Sequence, residues 1–107
     1  MSARVVHQPR VAWDFVQVLI DVVVAGEDLY AWFAGRVGEV LGTAYRVQLH
    51  DTRARLFAGR RIDIREVEMG VWRARLEDAL IGEPDLAEDL RILRLDAAAR
   101  LAGIPGV

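Results

Sequence analysis

The chain has 107 residues, a net charge of -2 and no cysteine, which indicates one small domain and excludes disulfides, thiolate metal sites and a cysteine nucleophile. Hydrophobic residues make up 53% of the sequence, more than is usual for a soluble domain of this size. Because a small domain buries a limited share of its surface, this surplus predicts an exposed apolar patch, an oligomer interface or a partner.

The charge balance argues against a general affinity for nucleic acid or membrane surfaces, since such proteins carry a basic excess. All 14 basic residues are arginine, and asparagine is absent, a bias that a GC-rich bacterial genome would produce. The apolar segment 11–25 follows basic residues, as in a signal peptide. Asp14 and Asp21 interrupt it, however, and it is too short to span a bilayer. We therefore expect a cytoplasmic protein with no membrane partner.

The first predicted helix begins at Val11. Residues 1–10 show no helical period and contain Pro9, so we expect a flexible N-terminal tail there. From Val11 the polar residues form only a thin stripe, and the run is too long and too irregular for a strand. A helix that is apolar almost all round needs cover on most sides, which predicts that Val18 and Val22 contact a second copy or a partner.

The second predicted helix runs from Gly26 to Leu41 and carries a stripe of small residues that includes Gly35 and Gly38. Glycine inside a helix costs about 1 kcal/mol relative to alanine. The stripe therefore indicates close approach of another helix backbone, in the same chain or a second copy, or simply reflects a glycine-rich composition. Trp32 lies toward the polar side of this helix, where Arg36 could stack on it. Trp32, Gly35 and Gly38 are thus further candidate interface residues.

The third predicted helix runs from Thr43, a candidate N-cap, to a stop at Gly59, with Thr52 on its apolar face. The strongest charge cluster of the chain follows its outer face and the next connection: Arg53, Arg55, Arg60, Arg61 and Arg65. This basic patch could bind phosphate or an acidic partner. We favour a solvated face balanced by neighbouring acidic residues, namely Asp51, Asp63, Glu66 and Glu68.

The last two predicted helices have the clearest boundaries. Asp63 and Glu66 have the spacing of a capping box, and Gly82 ends the fourth helix. Pro84 suits the start of the fifth, which Gly103 closes. The short connection predicts an antiparallel C-terminal hairpin. The single domain would then span residues 11–103, and residues 104–107 would form a C-terminal tail.

The inventory of reactive side chains predicts no chemistry. The sole serine, Ser2, lies in the expected tail, and His50 and Asp51 point about 100° apart on a helix, so they do not converge on one ion. There is no phosphate-binding loop. We therefore expect no catalytic, cofactor or metal site, and we expect the tryptophans Trp13 and Trp72 to be core anchors.

The fourth and fifth helices resemble the closing hairpin of small α-helical domains common in actinobacteria, some of which accompany effector or signalling proteins of bacterial conflict systems as adaptor-type modules. The residues that carry the resemblance are Trp72, Leu76, Leu80, Glu83, Pro84, Leu86, Leu90, Arg91 and Leu93. The resemblance implies an interaction module without catalysis.

The sequence as a whole predicts an all-α bundle of about five helices that acts as a non-catalytic protein–protein interaction module, in a homo-oligomer or as an accessory subunit of a hetero-complex. The alternative is a helical DNA-binding regulator that uses the arginines between residues 53 and 65. Asparagine is absent and glutamine is scarce, so residues that read base edges are few. An enzyme that uses His50 is a third possibility.

Overall fold

A computed structural model describes residues 8–103, with side chains from Arg10 onward. These residues form five α-helices and no strand, which confirms the predicted all-α bundle. The helices are α1 (Gln8–Val23), α2 (Glu27–Leu41), α3 (Thr43–Ala58), α4 (Ile64–Gly82) and α5 (Leu86–Leu101).

Helix α1 begins at Gln8, three residues before the predicted start at Val11. Pro9 therefore lies in the first turn, where a helix does not need the missing N–H. Residues 8–10 are helical rather than part of a tail, and the rest of the predicted tail, like residues 104–107, lies outside the described residues.

The hydrophobic core forms around α1. The helix packs extensively against both α4 and α5 and also contacts α2 and α3. Seven of its side chains have no exposed surface: Ala12, Phe15, Val16, Leu19, Ile20, Val22 and Val23. Most of the cover that this apolar helix requires is thus supplied by its own chain. Val22 is fully buried and cannot contact a partner, so that interface prediction is wrong, whereas Val18 is half-buried.

Helices α4 and α5 follow each other across a short connection, but each packs mainly against α1 and they contact one another only sparsely. Their apolar stripes are buried as the leucine spacing predicts, with Leu76, Leu80, Leu90 and Leu93 fully inaccessible. α4 and α5 are therefore held in the bundle by α1, an element from the other end of the sequence, rather than by packing on each other as the predicted hairpin requires.

Glycines at positive φ end two helices. Gly42, at φ 106° and ψ 164°, separates α2 from α3, and these two helices pack closely on each other. Gly59, in the left-handed conformation at φ 58°, ends α3 and donates its N–H to the Arg55 carbonyl. Side chains of L-residues rarely adopt such angles, so glycine makes both turns possible.

Two predicted helix starts differ in detail. Thr43 is the first residue of α3, and Gly42 occupies the cap position. Asp63 precedes α4 but makes no side-chain cap bond, because its carboxylate accepts hydrogen bonds from Arg61 at 3.0 and 3.1 Å. The predicted capping box is therefore wrong, although the predicted start of α4 is within one residue.

Candidate interaction surfaces

The basic patch does not exist as a free cationic surface, because four of its five arginines pair with carboxylates of the same chain. Their partners are Glu27 for Arg53, Glu68 for Arg55, Asp63 for Arg61 and Asp21 for Arg65. Arg60 has no ion-pair or hydrogen-bond partner within residues 8–103. A duplex or another anion would have to compete with these internal partners, of which Asp63 and Glu68 were predicted from the sequence as balancing acids and Glu27 and Asp21 were not.

Arg53 links α3 to the junction between α1 and α2 through hydrogen bonds. Its guanidinium donates to the carbonyls of Val23 at 2.6 Å and Ala25 at 3.2 Å, and to the Glu27 carboxylate at 3.0 Å. It also lies 4.2 Å from the centroid of the Tyr30 ring. A cation suits this place, because the carbonyls at a helix C-terminus carry partial negative charge. The geometry assigns Arg53 a structural role.

Glu68 is a buried carboxylate, contrary to the expectation of a solvated one, and only 3% of its surface is exposed. It accepts hydrogen bonds from Arg55 Nε at 2.6 Å and from the Thr52 hydroxyl at 3.3 Å. Thr52 in turn accepts a 2.8 Å hydrogen bond from the indole N–H of Trp72. The hydrogen bond from Arg55 lowers the pKa of Glu68 and raises that of Arg55. These four side chains join α3 to α4 through one polar network in the core.

His50 hydrogen-bonds through Nδ1 to the Tyr30 hydroxyl, and the two rings meet edge to face with centroids 5.5 Å apart. Burial raises the pKa of Tyr30, which keeps the phenol neutral. No cluster of three His, Cys, Asp or Glu side chains that could hold a metal ion occurs in the described part of the chain. The pair joins α2 to α3 through its hydrogen bond and its edge-to-face ring contact.

The glycine stripe on α2 is not covered by another helix backbone of the chain. A Cβ atom added to Gly35 would meet nothing within 4 Å. One added to Gly38 would lie 3.3 Å from Arg46 Cδ, a side chain of α3. The predicted close approach within the chain is therefore wrong. Gly38 leaves room for an arginine stem, and Gly35 faces open space.

Trp32 is half-buried and stacks with an arginine, but not with the predicted one. The guanidinium of Arg100, on α5, lies 3.9 Å from the Trp32 ring centroid. Arg36 instead pairs with Glu39 at 2.5 Å. Trp32 therefore marks the boundary between α2 and α5, which places this candidate interface residue beside α5.

Of the two tryptophans predicted as core anchors, one is buried and the other is exposed. Trp72 is fully buried, as predicted, whereas Trp13 is 39% exposed and lies 5.9 Å from the Arg73 guanidinium. Trp13 is on the side of α1 that carries Gln17 and Asp21, and its burial was therefore wrongly predicted.

A second apolar stripe runs along α5, opposite its buried leucines. Ile92 and Leu95 are 49% and 47% exposed, and with Asp96 and Ala99 they line a groove of about 340 Å³. We call Ile92, Leu95 and Ala99 the α5 outer face. Its edges carry ion pairs, Arg91 with Glu88 at 2.6 Å and Arg100 with Asp96 at 3.1 Å.

The α5 outer face was not predicted, because the leucine spacing indicated a single apolar face for this helix. The signal was present, since Ile92, Leu95 and Ala99 recur at i, i+3 and i+7 on the side opposite the buried stripe. One apolar stripe of α5 is buried in the core, and the other remains exposed, where a partner can contact it.

The chain matches no protein-family model, no curated protein and no solved structure. None of the helices within residues 8–103 is both long and apolar enough to cross a membrane.

Proposed function

We propose that this chain is a non-catalytic protein–protein interaction module and that its docking surface is the α5 outer face. The observation that carries the proposal is the pair of aliphatic side chains, Ile92 and Leu95, that remain half exposed around a groove on α5. When a partner removes apolar side chains grouped in this way from water, the free energy of the system falls, which favours binding. Asp96 also lines the groove, and its carboxylate pairs with Arg100.

The wider role that we propose is that of a self-associating or accessory subunit of a bacterial signalling or conflict system, in the cytoplasm. The resemblance of the last two helices to adaptor-type domains supports this role, and the acidic interruptions of segment 11–25 support the location. The apolar surplus first suggested a partner, but most of it lies in α1 and is buried in the core. The support for a partner therefore comes from the exposed apolar side chains of α5.

The test compares charged substitutions on α5 with one on α4. Ile92→Asp and Leu95→Asp should each abolish association of the full chain, measured by sedimentation for self-association and by retention from host extract for a foreign partner. Ile81→Asp is the matched control, because Ile81 is an aliphatic residue of α4 that is 73% exposed. Circular dichroism would verify that all three variants fold.

The proposal would fail if the two α5 variants kept every association of the wild-type chain, or if Ile81→Asp removed association equally. It would also fail if the wild-type chain neither self-associated nor retained any protein.

A further inference from the structure

We infer that the partner of the α5 outer face is a second copy of this chain, docked with the two α5 helices parallel. The inference rests on the proposed function and names the partner that the proposal leaves open. Three observations carry it: the spacing of the exposed apolar residues, the signs of the charges at their edges, and the elements that flank α5.

The residues of the α5 outer face have the spacing of a two-stranded coiled-coil seam. Ile92, Leu95 and Ala99 of α5, followed by Ala102 directly after the helix, recur at alternating steps of three and four, which is the heptad pattern of positions a and d. The apolar seam begins at Ile92, because Glu88 holds the preceding d position. Ile92 and Ala99 occupy a, and Leu95 and Ala102 occupy d. A β-branched residue at a with leucine at d favours two parallel strands. The stripe buried in the bundle lies on the opposite side of the helix, so the seam is free to pair.

The charges beside the seam select a parallel partner. In this frame Arg91 is at position g and Asp96 is at position e, five residues later. In a parallel pair the g residue of one helix lies beside the following e residue of the other, so Arg91 would meet Asp96 of the second copy twice, by symmetry. In an antiparallel pair e would face e, which would bring Asp89 and Asp96 of the two copies together, and like charges repel.

The ion pairs now present do not prevent this exchange. Arg91 bonds Glu88 and Asp96 bonds Arg100 on the surface of one copy. Arg91 and Glu88 are each more than half exposed, and exposed ion pairs contribute little to stability. Arg91 can therefore turn from Glu88 to a neighbouring copy at small cost where Glu88, at the N-terminal end of the seam, stays in water.

The flanking elements extend the contact beyond one helix. On the g side of α5, Val11 and Asp14 of α1 line a cleft of about 130 Å³ with Arg91. On the e side, Trp32 of α2 lies under Arg100. A parallel pair sets the e side of one copy against the g side of the other, so the α2 edge with Trp32 faces the α1 edge with Val11. Trp32 would then be a rim residue of the interface.

The orientation can be tested with single thiols, because the chain contains no cysteine. Ala99→Cys places a thiol at position a of the seam, beside its own counterpart in a parallel dimer, so mild oxidation should give a disulfide-linked dimer in high yield. Ala74→Cys is the control, since Ala74 is exposed on α4 and should give little of it. Absence of the cross-link from a chain that dimerises would overturn the parallel arrangement.

The charge pairing can be tested by exchange. Arg91→Asp alone and Asp96→Arg alone should each weaken the dimer about tenfold or more in sedimentation equilibrium, because each sets like charges together. The double variant should recover the wild-type constant. Exchange of the α4 ion pair, Arg73→Asp with Glu77→Arg, should leave dimerisation unchanged. Failure of the double variant to recover would overturn the pairing.

The outcomes separate this inference from the proposed function. A chain that stays monomeric up to millimolar concentration, yet loses a retained protein on Leu95→Asp, would overturn the second copy and leave the interaction module intact. A dimer that Leu95→Asp does not weaken would overturn both.

Discussion

At the scale of one residue, Glu68 stabilises the fold through a hydrogen-bonded ion pair with Arg55. Its carboxylate is buried and receives hydrogen bonds from Arg55 and Thr52, which lower its pKa below the ordinary 4.5. We expect Glu68→Gln to reduce the free energy of unfolding by about 1–2 kcal/mol at neutral pH, since Arg55 is partly exposed and solvent screens the pair. Urea unfolding followed by circular dichroism measures this loss.

The stability that Glu68 contributes should decrease as the pH is lowered. A carboxyl group whose pKa is lowered by folding stabilises the protein above the unfolded pKa, and that contribution disappears as the pH falls through the folded pKa. The difference between wild type and Glu68→Gln should therefore be full above about pH 4.5 and shrink below it. Glu66→Gln, at an exposed neighbouring carboxylate, should change stability by less than about 0.5 kcal/mol. An equal effect of both variants would contradict the assigned role.

Thr52 is at the centre of the same network, because its hydroxyl donates to Glu68 and accepts from Trp72 and from Arg55. Thr52→Val keeps the volume and removes all three hydrogen bonds, which leaves a fully buried indole N–H without an acceptor. Such a group costs about 1–3 kcal/mol. Urea unfolding should show this loss, whereas Thr43→Val, at the exposed start of α3, should change little. A stability equal to that of the wild type would show that water or another acceptor replaces the hydroxyl.

Sequence reasoning identified individual residues correctly where the local pattern decided their surroundings. Thr52 was predicted on the apolar face of α3 and Trp72 in the core, and both are buried. Arg65, by contrast, pairs with Asp21, which is 44 residues away in the sequence. Partners at such distances depend on how the helices pack, and the spacing along one helix contains no information about them.

At the scale of helices, the junction at Gly42 is the most restrictive. Its φ of 106° with ψ of 164° lies in a region that is essentially confined to glycine and costs other residues about 1–3 kcal/mol. We expect Gly42→Ala to lower the free energy of unfolding by that amount, because α2 and α3 could no longer meet without strain. Thermal and urea unfolding would both report it.

Gly70 provides the matched control within a helix. It is exposed on α4, and a Cβ atom there would meet nothing within 4 Å. Gly70→Ala should therefore raise stability by about 0.5–1 kcal/mol. Opposite signs for the two substitutions are expected; destabilisation by both would mean that α4 contacts something at Gly70 that the single chain does not contain.

Helix boundaries were predicted well because glycine and proline act locally. Gly59 and Gly82 each lie at or within one residue of the expected helix end, whereas α5 begins at Leu86, two residues after its expected start at Pro84. The cap at Asp63 was predicted wrongly because Arg61 competes for the same carboxylate, a competition that a cap pattern does not reveal.

At the scale of the molecule, the sequence showed that α1 needed cover but not where the cover came from. An apolar helix is equally consistent with burial inside its own bundle and with burial under a partner. The structure places α4 and α5 on it, so the first explanation accounts for Leu19 and Val22. The outward stripe of α5, with Ile92 and Leu95, was overlooked for the complementary reason: its leucines on the other side already explained the helix.

The position of α1 at the centre predicts that the whole bundle unfolds together. Leu19→Ala would open a cavity where α1 meets its neighbours and should cost about 2–5 kcal/mol, with a single urea transition at the concentrations where the chain is monomeric. Gln17→Ala, on the exposed side of the same helix, should change stability by less than about 0.5 kcal/mol. In native-state hydrogen exchange, the slowest amides of α1, α4 and α5 should have the same free energy of opening. Leu19→Ala should lower that free energy by the same amount in all three helices. If only α1 became labile while α4 and α5 kept their protection, those two helices would hold each other without α1, contrary to their sparse mutual contact.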